Sequence, residues 1–359
     1  MIDYRAPRWL AGIGAVGGNV QTIFPALYSR PWAAAPAGWP QPGPHGAHAP
    51  HTLAEGPGQK VRYQRRERWT APDGDFIDLD FLPAAASAPH TARHEPLLVL
   101  FHGLEGSSQS HYSRAFALWA HSQGWSYVVP HFRGCSGELN LAPRTYHSGD
   151  FEEIDWVLQR LAASHAGPVV AVGVSLGGNM LMRWVEEAGS RAPQLVRAAV
   201  AVSSPLDLTA CGVAIGRGFN KLVYTRMFLQ TLKPKALAKI RQHPGLANAD
   251  AVAAATDMYT YDAAYTAPLH GFSSTEDYWT RCSAKPGLTA IRDLPVLLLN
   301  ARNDPFIPAA SLPTRADVGP AVTLWQPHEG GHVGFPSGRF PGHVATLPQA
   351  VGAWLASHL

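Results

Sequence analysis

The sequence predicts an α/β protein: a mostly parallel, doubly wound sheet with a helical insertion. Three observations carry this expectation. Short apolar runs at 96–101, 125–130, 169–174, 197–203, 294–300 and 322–326 are separated by segments with helical spacing. Continuous apolar runs suit strands buried on both faces, and strand–helix alternation builds parallel sheets. Residues 209–284 then break the alternation with a long, mostly helical pattern. Finally, 359 residues with 46% hydrophobic and 15% charged content supply a sizeable core.

In order, residues 1–30 hold Gly18-Asn19-Val20-Gln21-Thr22-Ile23-Phe24-Pro25, read as a short helix or turn packed on the body, because Pro25 disfavours helix in its predecessor. Residues 31–58 are rich in Pro, Ala, Gly and His and read as an irregular wrap. Imperfect alternation at 61–69 and 76–82 around Pro72-Asp73-Gly74 marks a β-hairpin, an antiparallel opening to the sheet. The run at 96–101 ends in His102-Gly103-Leu104-Glu105-Gly106-Ser107-Ser108, with Ser107 and Ser108 expected to cap a helix at 110–121. The strand at 125–130 leads into His131-Phe132-Arg133-Gly134-Cys135-Ser136-Gly137. Phe151, Ile154, Leu158 and Leu161 give 150–163 one apolar helical face. The last strand is followed by a closing helix at 347–359. The expected organisation is one domain over 1–359. It has an N-terminal extension at 1–58, a core at 59–208 and 285–359, and a lid at 209–284.

Ligands bind such sheets at the carboxyl ends of the strands, and the chemistry-bearing residues fall there. Val169 to Val174 run through Gly173-Val174-Ser175-Leu176-Gly177 into a helical segment. Strand, sharp turn on a serine and helix make a nucleophile elbow, with Ser175 at its tip. A serine hydroxyl needs a base, and the base needs an acid to hold its tautomer. Asp304 follows the penultimate strand and His332 the last, the chain order expected for a catalytic Ser–Asp–His set. Two glycines before His332 are expected to give a mobile loop. Asp207 is an alternative acid and His328 an alternative base. The N–H groups of Leu176 and Leu104 are the expected oxyanion donors. His102 is read as a brace for the Leu104 loop, and Cys135 as structural.

Composition bounds partners. A net charge of +3 without a basic block argues against nucleic acid. Cys135, Cys211 and Cys282 lack C-x-x-C spacing and read as reduced thiols of a cytoplasmic protein. No apolar run approaches the roughly 18 residues of a membrane span, and Met1 to Arg5 lack signal-peptide character. Histidines 45, 48 and 51 lie in a low-complexity stretch, and no metal site or cofactor is expected. Basic and aromatic residues of the insertion, such as Lys221, Phe228 and Lys235, suit either a solvated helix face or peripheral contact with lipid.

Several motifs together resemble the YheT-like branch of the α/β-hydrolases (AB hydrolase superfamily, type 4). They are Asn19-Val20-Gln21-Thr22, the 102–108 and 133–137 loops, Gly173 to Asn179, Ala267-Pro268-Leu269-His270-Gly271-Phe272 and Gly330 to Phe335. The resemblance implies an α/β-hydrolase fold, a Ser175–Asp304–His332 triad and hydrolysis of carboxylic esters on acyl substrates. It fixes chemistry better than substrate.

Overall fold

The computed structural model describes residues 4–10, 17–29, 61–84 and 94–359. The wrap expected at 31–58, with its histidines, lies outside the described residues. Eight strands form one sheet: β1 (Arg65–Thr70), β2 (Phe76–Leu82), β3 (Leu97–Phe101), β4 (Ser126–Pro130), β5 (Val169–Val174), β6 (Ala199–Val202), β7 (Val296–Leu299) and β8 (Val322–Trp325). Their order is β1-β2-β4-β3-β5-β6-β7-β8. β1, β2 and β4 pair antiparallel, and every pairing from β4 through β3 to β8 is parallel.

The hairpin forms where expected, but β1 begins at Arg65 rather than near Val61. Its register is held by charge. Arg66 and Arg68 lie opposite Asp80 and Asp78, at 2.6 and 2.8 Å. Both carboxylates are buried, so the arginines of the edge strand offset a desolvation cost that the aspartates would otherwise bear alone.

Alternation along the strands sorts the core into two layers. Leu97, Val99, Ala171, Ala199 and Leu298 face α3 (Phe151–Ser164) and α4 (Leu176–Ala188). Leu98, Leu100, Val172, Val200 and Leu297 face α2 (His111–Ser122) and the closing helix Thr346–Ala356. Burying both faces accounts for the unbroken apolar runs in the sequence.

The insertion is helical as expected, from Leu208–Ile215 through Arg226–Gln242 to Thr275–Cys282. It has its own small core of Leu229, Leu232, Val252, Tyr261 and Tyr265. Two of its turns are π-helical, Lys221–Thr225 and Asp262–Thr266. Among the described residues, no helix is long and apolar enough to cross a membrane.

The expected capping by Ser107 and Ser108 does not occur. Ser110 occupies the N-cap of α2 and makes no side-chain cap bond. Ser108 Oγ instead donates to Asp80 at 2.6 Å, joining the network that already holds Arg66 and His131.

Candidate active site

Ser175 sits between β5 and α4 with φ 54° and ψ −122°. Such backbone strain costs on the order of 1–3 kcal/mol and persists only where the surroundings over-determine it. They do so here. The Ser175 N–H donates to Val202 O at 2.8 Å. A Cβ on Gly173 would lie 2.4 Å from Gly177 O, and one on Gly177 would lie 2.4 Å from His102 O. Only glycine lets strand, turn and helix approach this closely.

Asp304 follows β7, and its side chain is fully buried. Oδ1 accepts the Phe306 N–H at 2.8 Å, and Oδ2 lies 2.8 Å from His332 Nδ1. His332 Nε2 lies 3.0 Å from Ser175 Oγ. An ionised carboxylate only accepts, so the Nδ1 proton points at Asp304. Nε2 is then left to accept from the serine hydroxyl. The Phe306 ring packs on the imidazole, centroids 4.1 Å apart.

The loop bearing His332 is pinned, not loosened, by its glycines. Gly330, Gly331, Val333 and Phe335 all have positive φ. Val333 N–H donates to Ser203 Oγ at 3.1 Å, and Phe335 N–H to Gly330 O at 2.8 Å. A Cβ on Gly331 would lie 2.7 Å from the Gln21 carbonyl carbon. The glycines permit close approach to the N-terminal helix α1 (Gly17–Leu27).

That helix was legible as a packed segment, but its place at the site was not. Gln21 is completely buried. Its Oε1 accepts from Asn303 Nδ2 at 2.9 Å and from the Gly330 N–H at 2.8 Å. Asn303 Oδ1 in turn accepts the Gly331 N–H at 3.0 Å. Thr22 Oγ1 accepts the His332 N–H at 2.8 Å and donates to Gly18 O. One helix therefore ties the Asp304 loop to the His332 loop. The signal available in the sequence was its buried stripe, Gly18, Gln21, Thr22 and Pro25. The spacing is helical, yet the residues are small or polar where a packing helix presents apolar ones.

Leu176 is the first residue of α4, so its N–H has no partner within the helix. In the turn after β3, the N–H groups of Gly103, Glu105 and Gly106 donate to Tyr112 Oη, Tyr146 Oη and Gly103 O. Among the described residues, that of Leu104 has no such acceptor. Both leucines line a cavity that also exposes Ser175 and His332. His102 braces this turn: Nδ1 meets Gly103 O at 2.8 Å, and Nε2 accepts from the Phe132 N–H at 3.1 Å. Burial pulls its pKa down to about 3, so the ring is neutral.

The competing residues are elsewhere engaged. Asp207 caps Leu208–Ile215, accepting the Ala210 N–H at 3.0 Å. His328 is exposed to solvent. Cys135 lies 3.8 Å from Glu105 Oε1, and burial pushes its thiol up to about 12. Among the described residues, no group of three or more His, Cys, Asp or Glu side chains is arranged to hold a metal.

Comparison with known proteins agrees with this architecture. Residues 96–338 match the family model for the alpha/beta hydrolase fold. The chain is 40% identical over 82% of its length to YheT of Escherichia coli (strain K12), whose name assigns it to the esterases, covering 85% of that protein. It is 30% identical over 78% of its length to the mouse phospholipase ABHD3, covering 68% of it. A puromycin-hydrolyzing peptidase of Mycobacterium tuberculosis shares the fold at a TM-score of 0.52 and 19% identity, over 85% of this chain and 42% of that one. The sheet order, the serine elbow and these similarities place the chain in the α/β-hydrolase family, in its YheT-like branch.

Proposed function

We propose that the protein is a serine hydrolase that cleaves carboxylic esters of short- to medium-chain acyl groups. The observation that carries this is the pair of contacts at 3.0 Å and 2.8 Å linking Ser175, His332 and Asp304. Ser175 Oγ attacks the ester carbonyl while His332 Nε2 takes its proton. Asp304 orients the ring and stabilises the imidazolium. The carbonyl oxygen gains the negative charge and receives hydrogen bonds from Leu104 and Leu176 N–H. His332 returns the proton to the departing alcohol, leaving Ser175 acylated. Water, deprotonated by His332, then releases the acid and restores the hydroxyl.

Substrate size follows from the cavity. Its volume is about 140 Å³, and Ile215, Phe228, Leu232 and Met258 from the insertion line it. A partly enclosed, mostly apolar space of that volume suits an acyl chain of short to medium length. In this reading residues 209–284 act as a lid over a core made of 59–208 and 285–359. Phe219, Leu222 and Met227 are exposed on that lid near Arg217, Lys221 and Arg226. Lys221 pairs with Asp257 at 2.9 Å, while exposed apolar side chains beside Arg217 and Arg226 suit peripheral contact with an anionic lipid surface. Three free cysteines accord with a cytoplasmic setting.

Fluorophosphonate labelling and a p-nitrophenyl ester chain-length series, with and without anionic vesicles, test the proposal. Wild type is expected to label on Ser175 and Ser175→Ala to lose both label and turnover. An unlabelled, folded wild type would instead favour a binding protein on a hydrolase fold. Faster turnover of acyl-CoA or anilide substrates than of esters would move the activity to a thioesterase or amidase using the same three residues.

A further inference from the structure

The cavity beside Ser175 is mostly apolar, but several polar side chains without a task in the steps above also line it, among them Thr145, His147, Ser148, Asp262 and Tyr278. Asp262 lines it, opening the π-helical turn Asp262–Thr266. Its residue surface is only 6% exposed. π-Helical turns recur at functional sites, because the extra residue re-aims a side chain at the cost of regular hydrogen bonding. Asp262 Oδ2 accepts the Trp279 indole N–H at 2.9 Å, and Thr266 stands beside it. Among the described residues it takes part in no ion pair, unlike the buried Asp75, Asp78 and Asp80, each of which meets an arginine.

Holding a buried carboxylate without a counter-ion is costly. Satisfying an indole N–H does not require it, since a neutral amide or hydroxyl oxygen would serve. A carboxylate has about four acceptor positions, and the indole N–H and Thr266 leave acceptor capacity unused. Burial raises the group to about 6. Ionised or protonated, the carboxyl keeps acceptor positions that these two donors do not fill. Its remaining acceptor positions have no further donor among the described residues, and the space it borders is where a substrate arm would lie.

We propose that Asp262 is a specificity-determining residue that accepts a hydrogen bond from a hydroxyl carried on one arm of the ester substrate. The preferred substrates are then hydroxylated esters rather than wholly apolar ones. An apolar terminus would leave the remaining acceptor positions of the carboxylate desolvated and unfilled, whereas a hydroxyl fills one. A hydroxyl also enters an apolar cavity at less desolvation cost than an ammonium group. This inference rests on the esterase reading above.

The test uses isosteric substrate pairs in a pH-stat at neutral pH. Methyl heptanoate is set against methyl 6-hydroxyhexanoate for the acyl arm, and pentyl butanoate against 4-hydroxybutyl butanoate for the alcohol arm. The readout is the hydroxyl-to-methyl ratio of kcat/KM. Wild type is expected to favour the hydroxylated member of at least one pair by about tenfold or more, the scale of a hydrogen bond to a charged group. The ratio should collapse toward one in Asp262→Leu and fall by less in Asp262→Asn. The asparagine variant keeps an acceptor for Trp279, so it decides the matter if the leucine variant does not fold. A wild type that shows no preference in either pair, or a preference that survives both substitutions, overturns the proposal while leaving the esterase intact. A wild type that hydrolyses neither pair and takes no fluorophosphonate label overturns both.

Discussion

Replacing Asp304 with asparagine tests the arrangement at its least redundant point. The carboxylate serves two donors at once: the Phe306 N–H on Oδ1 and the His332 Nδ1–H on Oδ2, both at 2.8 Å. An amide has one oxygen and one NH₂. If the oxygen keeps Phe306, the NH₂ faces His332 and forces Nδ1 to accept. The ring proton then moves to Nε2, which can no longer take the Ser175 proton. If the amide flips, its NH₂ meets the Phe306 N–H, and a buried donor is left unsatisfied at a cost of about 1–3 kcal/mol. The first arrangement is the cheaper, so the variant folds with the wrong tautomer. A wrong tautomer in a Ser–His–Asp set costs about 10⁴ in turnover, or ~5.5 kcal/mol of barrier at ~1.36 kcal/mol per decade. Asp207→Asn is the control. Asparagine caps helices as well as aspartate does, so activity should change by about twofold or less. The assay is kcat/KM on a p-nitrophenyl ester alongside the rate of fluorophosphonate labelling, with circular dichroism to verify folding. An Asp304→Asn enzyme within tenfold of wild type, or an Asp207→Asn enzyme equally impaired, would falsify the assignment of the acid.

Three further outcomes follow from the same geometry. His332→Ala should abolish labelling of Ser175 while His328→Ala, at an exposed position, keeps most of it; equal losses would place the base elsewhere. Thr22→Val removes the acceptor of the His332 N–H without touching any reacting atom; kcat should fall more than tenfold with KM little changed and Thr22→Ser restoring most of it, whereas failure of serine to rescue would make Thr22 a packing residue. Stability should peak near pH 6, because two sets of buried groups oppose one another. His102, His111 and His270 are held down to about 3, 4 and 3, so the unfolded chain takes up their protons first and stability is lost as pH falls below the ordinary value near 6.5. Asp262, Glu153 and Glu186 are held up to about 6, 7 and 8, so the folded chain keeps their protons longer and stability is lost as pH rises from about 4 through those values. Thermal midpoints rising steadily from pH 6 to 9 would contradict this balance.

What the sequence disclosed, and what it withheld, follows from the range of the interactions concerned. The parallel strands were legible because burial on both faces leaves only one composition open to them. The elbow was legible because Gly173, Ser175 and Gly177 act on one another within a few residues. Ser108 was misread as a cap because its partner, Asp80, lies 28 residues away on β2. Likewise, the glycines before His332 suggested mobility because their true neighbour, Gln21, lies 309 residues upstream of Gly330. Local propensity describes what a segment does when nothing else touches it. It cannot anticipate a contact that chain topology supplies.

The N-terminal helix shows where that limit still leaves a trace. A helix that only packs presents an apolar stripe, since burying a polar side chain costs free energy unless a partner satisfies it. The buried stripe of α1 runs Gly18, Gln21, Thr22, Pro25, and the first three have nothing to gain from an apolar surface. Their spacing already required hydrogen-bond partners of equal polarity on whatever they met. The turn at Asn303 and the glycine-rich turn at Gly330 are such a surface. Tyr224 of the insertion donates to Asn19 at the same helix. The Asp304 loop, the His332 loop and the insertion therefore all meet at α1. A polar stripe with helical spacing is thus evidence of a bracket, and its residues belong among the candidates for the site even though none of them reacts.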